Sequence, residues 1–267
     1  MQGPTALALG PAGGPFAGAL YALDRNPAEG TGRLLALAPG GQVAVIAEGL
    51  RNPTGLVISP GDTWGMAAFV GEAASGGGFA LRVLPVTLAG TGTPLPIPPG
   101  GTRAAGGLML SLGGTWGEAL YLSDAGTGEI LRLDPAGTTS VVCTGLPGPR
   151  ALAQPPSGSP FTDGLYVVAG SSVLRLGADC QASAVGANLG VLGAFAFGLG
   201  DAFGTDLYVV EGGLSGNRIL RVSPNGTVTP VAEGFGVLGG LTFAPAGAFG
   251  PALFAAEYSS GTLYRIT

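Results

Sequence analysis

The sequence contains no histidine and no lysine among its 267 residues. Without imidazole, the protein cannot use a Ser-His-Asp triad, a Cys-His pair or an HExxH zinc site. Without lysine, it cannot form a Walker A phosphate loop or a Schiff base with a carbonyl substrate. These absences leave arginine, asparagine and carboxylates as the side chains in which to look for chemistry.

Charge is scarce as well. Charged residues make up 10% of the chain, and 11 arginines against 16 acidic residues give a net charge of −5. A negative protein repels phosphate backbones, so nucleic acid is not expected as a partner. Low charge and the lack of lysine favour an exported protein, periplasmic or extracellular. No signal peptide is recognisable at the N-terminus of this chain, and a cytoplasmic location stays open.

Long apolar runs are present but are interrupted by turn residues. The 23 residues from Gly234 to Ala256 carry no charge, which is long enough to span a bilayer. The run also contains six glycines and two prolines. We therefore expect two buried strands and a turn there, and no transmembrane segment.

The chain has two cysteines, which allow one intramolecular disulfide. Cys143 lies in an apolar strand-like run, and Cys180 follows a turn-like segment. A disulfide between them and two free thiols are both compatible with the sequence. A catalytic or metal-binding role is not expected, because no base or second ligand accompanies either thiol.

A six-fold repeat dominates the sequence. The pattern aromatic-x-x-x-apolar-aromatic, which we call the aromatic corner, recurs at spacings of 48, 52, 45, 42 and 46 residues and includes both tryptophans. Its copies are Phe16–Tyr21, Trp64–Phe69, Trp116–Tyr121, Phe161–Tyr166, Phe203–Tyr208 and Phe249–Phe254. Each copy contains short apolar segments between Gly, Pro or Asp turns, which predicts four strands. Such units bury their faces by radial stacking, so we predict an all-β, six-bladed β-propeller with four-stranded antiparallel blades.

The repeat also predicts boundaries within a single domain of residues 1–267. The expected blades are residues 5–49, 53–99, 105–145, 149–188, 192–234 and 240–267. The last copy has sequence for three strands only. We expect the sixth blade to be three-stranded or completed from outside the chain, which would leave an edge open to β-augmentation.

Several stretches carry a resemblance to a known group of propellers, namely Asp206–Glu211, Arg218–Gly226 and Gly240–Pro245. Over nearly its whole length, the chain resembles six-bladed propellers of the NHL-repeat and SMP-30/gluconolactonase-like group. That group includes enzymes, ligand-binding domains and interaction platforms. The resemblance implies that an enzyme of the SMP-30 type would hold a divalent metal in the central channel through Glu, Asn and Asp. Asn52 is the loop residue that looks like such a ligand, and no acid occupies a matching loop.

Two sets of charged residues recur from blade to blade. Acids end the predicted second strand at Asp24, Glu72, Asp124, Glu211 and Glu257. Arginines occur in the predicted third strand at Arg82, Arg132, Arg175, Arg221 and Arg265. Because these strands form a hairpin, we expect cross-strand ion pairs between the two sets. The acids, together with Asn52, could instead supply oxygen ligands to Ca²⁺, and no other cofactor is expected.

Three further arginines do not repeat. Arg51, Arg103 and Arg150 lie where one blade leads into the next, with Asn52 and Asn188 in similar segments. The corresponding segments of the fifth and sixth copies are apolar. A mouth that is half basic and half apolar suits a small amphipathic anion, since guanidinium binds carboxylate in a bidentate fork. The alternative is that these arginines pair with the neighbouring acids.

These observations favour a non-catalytic propeller that binds a protein, a glycan or a small anionic ligand. The ligand would lie at the channel mouth or at the sixth-blade edge. One alternative is a divalent-metal-dependent, lactonase-like hydrolase that uses the channel without a catalytic histidine. Another is a structural module of a larger extracellular assembly.

Overall fold

The protein is a six-bladed β-propeller, as the repeat predicts. The structure is a computed structural model and describes residues 1–26, 28–61, 63–73, 81–95, 97, 104–186, 188–212 and 217–267. Six antiparallel sheets follow one another along the chain. The first three sheets contain β1 (Pro4–Leu9), β2 (Leu20–Asn26), β3 (Thr31–Leu37) and β4 (Val43–Arg51); β5 (Pro53–Ile58), β6 (Ala68–Ala73), β7 (Leu81–Thr87) and β8 (Gly90–Thr91); and β9 (Ala105–Leu112), β10 (Glu118–Asp124), β11 (Glu129–Leu133) and β12 (Thr139–Cys143). The last three contain β13 (Pro149–Ala153), β14 (Leu165–Ala169), β15 (Ser172–Leu176) and β16 (Ala182–Gly186); β17 (Val191–Phe197), β18 (Leu207–Gly212), β19 (Asn217–Val222) and β20 (Val228–Phe235); and β21 (Leu238–Ala244), β22 (Ala252–Glu257) and β23 (Thr262–Ile266).

Within each blade the strands pair in chain order, from an inner strand at the axis to an outer strand at the rim. Along the chain, the outer strand of each blade is followed by the inner strand of the next. We call the side of the ring that carries these links the upper face, and the opposite side the lower face. Because every inner strand starts at the upper face, the first residues of six inner strands surround one mouth of the channel.

The sixth blade has three strands, as its sequence predicts. Strand β23 is the edge of this sheet. The five preceding sheets each have a fourth strand in the same place. The addition of a strand from outside the chain to this edge stays a prediction.

The aromatic corners lie at the lower face, where each inner strand turns into the second strand. In all six, the two rings meet edge to face with centroids 5.4 to 6.0 Å apart. The corner also contacts the next blade, since the ring of Phe203 lies 5.2 Å from that of Phe243 in β21. Edge-to-face pairs add stability beyond the apolar area they bury. The repeated motif therefore joins neighbouring blades.

A disulfide joins two blades near their outer edges. Cys143 ends β12 in the third blade, and Cys180 lies in the turn between β15 and β16 in the fourth. Their Cα atoms are 5.6 Å apart, within the range usual for disulfides. Cys180 has a φ of 61°, so the turn holds it in the left-handed region.

The apolar run from Gly234 to Ala256 contributes to sheets. It contains the end of β20, all of β21 and most of β22. In the part of the chain that the structure describes, no helix is both long enough and apolar enough to cross a membrane.

Candidate functional site

The upper half of the central channel is a cavity of about 370 Å³ that is open at the upper face. Its wall consists of the first residues of the six inner strands. Each inner strand contributes one residue to each of three layers, one above the other, and Leu238 of the sixth blade also lines the cavity. The volume lies within the range of small-molecule sites.

The deepest layer closes the cavity with apolar side chains. All six are 6 to 8% exposed. They are Leu7, Leu56, Leu108, Leu152, Phe195 and Leu241, which we call the channel floor. A bound molecule would therefore rest on hydrocarbon.

The two upper layers consist almost entirely of small residues. The layer at the mouth contains Thr5, Thr54, Gly106, Arg150, Gly193 and Gly239, and the layer below it contains Ala6, Gly55, Gly107, Ala151, Ala194 and Gly240. The close approach of neighbouring strands requires some of the glycines. A Cβ atom on Gly107 would lie 2.8 Å from the carbonyl oxygen of Arg150, and one on Gly240 would lie 2.9 Å from the backbone of β1. The cavity therefore exists because the residues of the two upper layers have small side chains or none.

Arg150 is the one ionisable residue among the described residues that line this cavity. Its side chain is exposed, and its guanidinium makes no hydrogen bond or ion pair with any residue that the structure describes. Its backbone is fixed, because the carbonyl accepts a hydrogen bond from Ser123 Oγ, which in turn accepts one from the Gly107 N–H at 2.7 Å. The third blade thus positions an arginine of the fourth blade at the channel mouth.

The repeated acids have a structural role that the sequence did not reveal. Each carboxylate accepts a hydrogen bond from a backbone N–H just ahead of the inner strand of its own blade, at 2.6 to 3.0 Å. The donors are Gln2 and Gly3 to Asp24, Arg51 to Glu72, Ala104 to Asp124, Gly190 to Glu211 and Gly236 to Glu257. These hydrogen bonds satisfy link N–H groups that a strand ladder would leave unpaired. The fourth blade has Ala169 in the equivalent position, opposite Pro149.

Arginines also bind several of these acids, but most are not those that the sequence suggested. The expected pair forms between Glu72 and Arg82, which face each other across β6 and β7. Asp24 pairs with Arg33, and Glu211 pairs with Arg218.

The other four arginines of the predicted set lie three residues farther along the third strand, opposite the second-strand aromatic residue and near the lower face. Arg132 pairs there with Asp134, and Arg221 pairs with Asp206. Arg175 and Arg265 donate hydrogen bonds to carbonyl oxygens of the chain. The predicted pairing with the upper acids is therefore wrong for these four, because strand register separates them from that face.

The hydrogen bonds to these acids affect their ionisation. Burial raises the pKa of Glu211, but hydrogen bonds from the Gly190 N–H and from Arg218, with the charge of Arg218, give a net decrease in that pKa. The Gly236 N–H is the largest cause that lowers the pKa of Glu257, and nearby hydroxyl groups lower it further. Both carboxylates are thus stabilised in the ionised form in which they accept these hydrogen bonds.

The remaining candidates separate from Arg150. Arg51 ends the outer strand β4 opposite Thr31 and does not line the channel cavity. Asn52 and Asn188 each have a positive φ, 40° and 58°, in the link between two blades, where asparagine tolerates the left-handed region. Arg103 lies outside the described residues.

The carboxylates do not fit a metal centre in the channel. None of them lines the cavity, and in the described residues no group of three or more His, Cys, Asp and Glu could hold a metal ion. The buried Oδ1 of Asn52 has no hydrogen-bond partner, but the Asn52 amide lies against Gly30 in the first blade and not in the channel. Outside the described residues, the sequence adds only Asp62 to this set of residue types.

Comparison with known proteins identifies enzymes that share this fold. A gluconolactonase from Xanthomonas campestris matches with a TM-score of 0.69 and 14% identity, over 97% of this chain and 84% of that one. A periplasmic gluconolactonase from Pseudomonas aeruginosa matches with a TM-score of 0.61 and 18% identity, over 99% of this chain and 84% of that one. Virginiamycin B lyase from Staphylococcus aureus matches with a TM-score of 0.63 and 14% identity, over 99% of this chain and 94% of that one. No protein-family model matches the chain, and a search of curated proteins found no match.

These similarities establish the fold and correct one expectation. The sequence favoured a propeller without catalytic activity, yet the structural relatives described above are lactonases and a lyase. That preference is wrong against these findings, which favour the lactonase-like alternative. It relied on the absence of histidine and of channel acids, which excludes particular mechanisms but does not exclude catalysis.

Proposed function

We propose that this protein is a lactonase-like hydrolase that opens a small cyclic ester in the upper half of its central channel. The observation that carries the proposal is Arg150, which pairs with none of the described residues, at the mouth of a small cavity with an apolar floor. Gluconolactonases with the same six-bladed fold support the reaction class. The disulfide and the periplasmic relative support a site of action outside the cytoplasm.

In this reaction water adds to the lactone carbonyl carbon, and the carbonyl electron pair moves onto its oxygen. The Arg150 guanidinium would donate hydrogen bonds to that oxygen and stabilise its negative charge. Collapse of the adduct then breaks the ring C–O bond; one proton of the added water ends on the leaving alkoxide, and the other is released to solvent. The product is a hydroxy carboxylate, whose carboxylate group can bind Arg150 in a bidentate fork.

The rest of the cavity would orient the substrate. The hydroxyl of Thr54 lies at the mouth, as does that of Thr5, which donates to the carbonyl of Pro53 at 2.9 Å. The channel floor would contact the hydrocarbon side of the ring. We assign no step to a metal ion, because the residues described do not supply a carboxylate set in the channel.

Hydrolysis of a panel of γ- and δ-lactones, followed by acid release at constant pH, tests the proposal. We expect Arg150→Ala to lower kcat/KM about 100-fold, the typical cost of removing one oxyanion donor. Arg51→Ala is the matched control, because Arg51 lies at the same face but does not line the cavity. Lack of hydrolysis by the wild type, or equal loss in the two variants, would refute the proposed function. A loss of activity with a chelator, restored by a divalent cation, would show that a metal takes part.

A further inference from the structure

A second depression adjoins the channel at the upper face, between the fourth and fifth blades. Its volume is about 510 Å³, and it is lined by Pro147, Gly148, Arg150, Gly170, Ser171, Gly190, Val191 and Leu192. Arg150 lines both this depression and the channel cavity. The two spaces therefore meet at Arg150, the one charged side chain that the described residues place on the channel wall.

The chemistry of the depression is apolar apart from Arg150 and Ser171. Val191 is 68% exposed, the highest value for a large apolar side chain in the described part of the chain. Leu192, which is 1% exposed, packs beneath it in the core between the two blades. A concave site with a mostly apolar lining and a few polar groups is the usual composition of a small-molecule site.

The fourth blade lacks the repeated acid beside Arg150, because Ala169 lies opposite Pro149 there. Five blades have a carboxylate at the end of the second strand, and among the described residues Asp24, Glu72 and Glu211 each bind an arginine. The fourth blade has Ala169, which is buried and neutral. No carboxylate at that position competes with a ligand for Arg150.

We propose that this depression, which we call the acyl subsite, binds a hydrocarbon chain attached to the substrate, so that the preferred substrates are lactones with an alkyl or acyl substituent. The reacting carbonyl would lie at Arg150, the ring above the channel floor, and the substituent against Val191. This inference rests on the proposed function for the reaction. The binding of a carboxylate or carbonyl group with an attached apolar chain can be measured without catalysis.

Calorimetric titration with acetate and hexanoate tests the subsite directly. If each of the four additional methylenes contributes about a factor of two in the open depression, hexanoate should bind about 16-fold more tightly than acetate. Arg150→Ala should weaken the binding of both ions. Val191→Ser should weaken hexanoate about threefold and leave acetate unchanged. Val237→Ser is the matched control, because Val237 is 55% exposed in the next blade link and does not line the depression.

Equal binding of the two ions by the wild type, or equal weakening of both by Val191→Ser, would overturn the subsite. Hydrolysis of unsubstituted and butyl-substituted γ-lactones then separates the two proposals. A preference for hexanoate without hydrolysis of either lactone would support the subsite and refute the proposed function. Hydrolysis of both lactones at equal kcat/KM, with equal binding of the two ions, would refute the subsite alone.

Discussion

Replacement of Gly106 by alanine should destabilise the propeller and disturb the arginine at the channel mouth. A Cβ atom there would overlap Ser123 Oγ and lie 2.7 Å from the Pro149 carbonyl oxygen and 3.0 Å from the Arg150 Cα. Two of these three atoms belong to the backbone of the next inner strand, so relief requires a shift of the fourth blade. Overpacking of this kind costs about 1–3 kcal/mol, and loss of the hydrogen bond between Ser123 and the Gly107 N–H adds about 1 kcal/mol.

Gly193 in the same layer is the matched control. A Cβ atom on Gly193 would meet only ordinary contacts, the nearest at 3.5 Å on Val210. Gly193→Ala should be neutral or stabilise the protein by up to about 1 kcal/mol, because alanine restricts the unfolded chain. Urea denaturation followed by tryptophan fluorescence measures both free energies of unfolding. A difference below about 0.5 kcal/mol between the two variants would refute the close approach of strands β9 and β13.

Three further predictions concern what holds the blades together. Phe16→Ala should lower the free energy of unfolding by about 3–5 kcal/mol, because Phe16 is 1% exposed and packs between two blades, and a loss below about 1 kcal/mol would contradict that packing. The lowered pKa of Glu211 should contribute stability that is complete above its ordinary value of 4.5 and is lost as pH falls through the lowered value; Glu211→Gln should remove this part of the acid dependence of thermal melting, and an unchanged profile would contradict the assignment. Loss of the Cys143–Cys180 disulfide, which has a sequence separation of 37 residues, should lower the free energy of unfolding by about 3–4 kcal/mol. Comparison of the oxidised protein with the reduced protein and with the double serine variant measures this loss, and equal stability of the oxidised and reduced protein would contradict it.

The blade architecture could be predicted because its determinants are local and repeated. Each aromatic corner needs an aromatic residue at a fixed distance before the second strand, so scarce residues mark every blade. The three-stranded sixth blade could be predicted as well, because the last copy of the repeat has sequence for three strands only. Trp64 and Trp116 occupy equivalent corners for this reason.

The site was harder to predict, because it depends on strand register and on backbone atoms. Arg82 and Arg132 occupy the same strand of their blades, yet three residues of register place them at opposite faces. The hydrogen bonds to the repeated acids come from backbone N–H groups, which no residue type identifies. Leu7 and Leu56 of the channel floor are leucines in apolar strands, and nothing in the sequence distinguishes them from ordinary core residues. What distinguishes them is their position at the axis.

Arg150 illustrates how much the sequence could provide. Its location between two blades and its lack of a repeated counterpart marked it as a ligand candidate. The same reasoning selected Arg51, which the structure places at the end of an outer strand away from the cavity. The repeat also shows where the fourth blade differs, because Ala169 stands where the other five blades have an acid.

The measurement that tests the central claim most directly is a crystal structure with a bound 4-hydroxycarboxylate, the product of γ-lactone hydrolysis. The account predicts a bidentate contact between the carboxylate and the Arg150 guanidinium, with the carbon chain above the channel floor formed by Leu7, Leu56, Leu108, Leu152, Phe195 and Leu241. A product bound elsewhere, or held in the channel by a metal ion while Arg150 faces solvent, would contradict it.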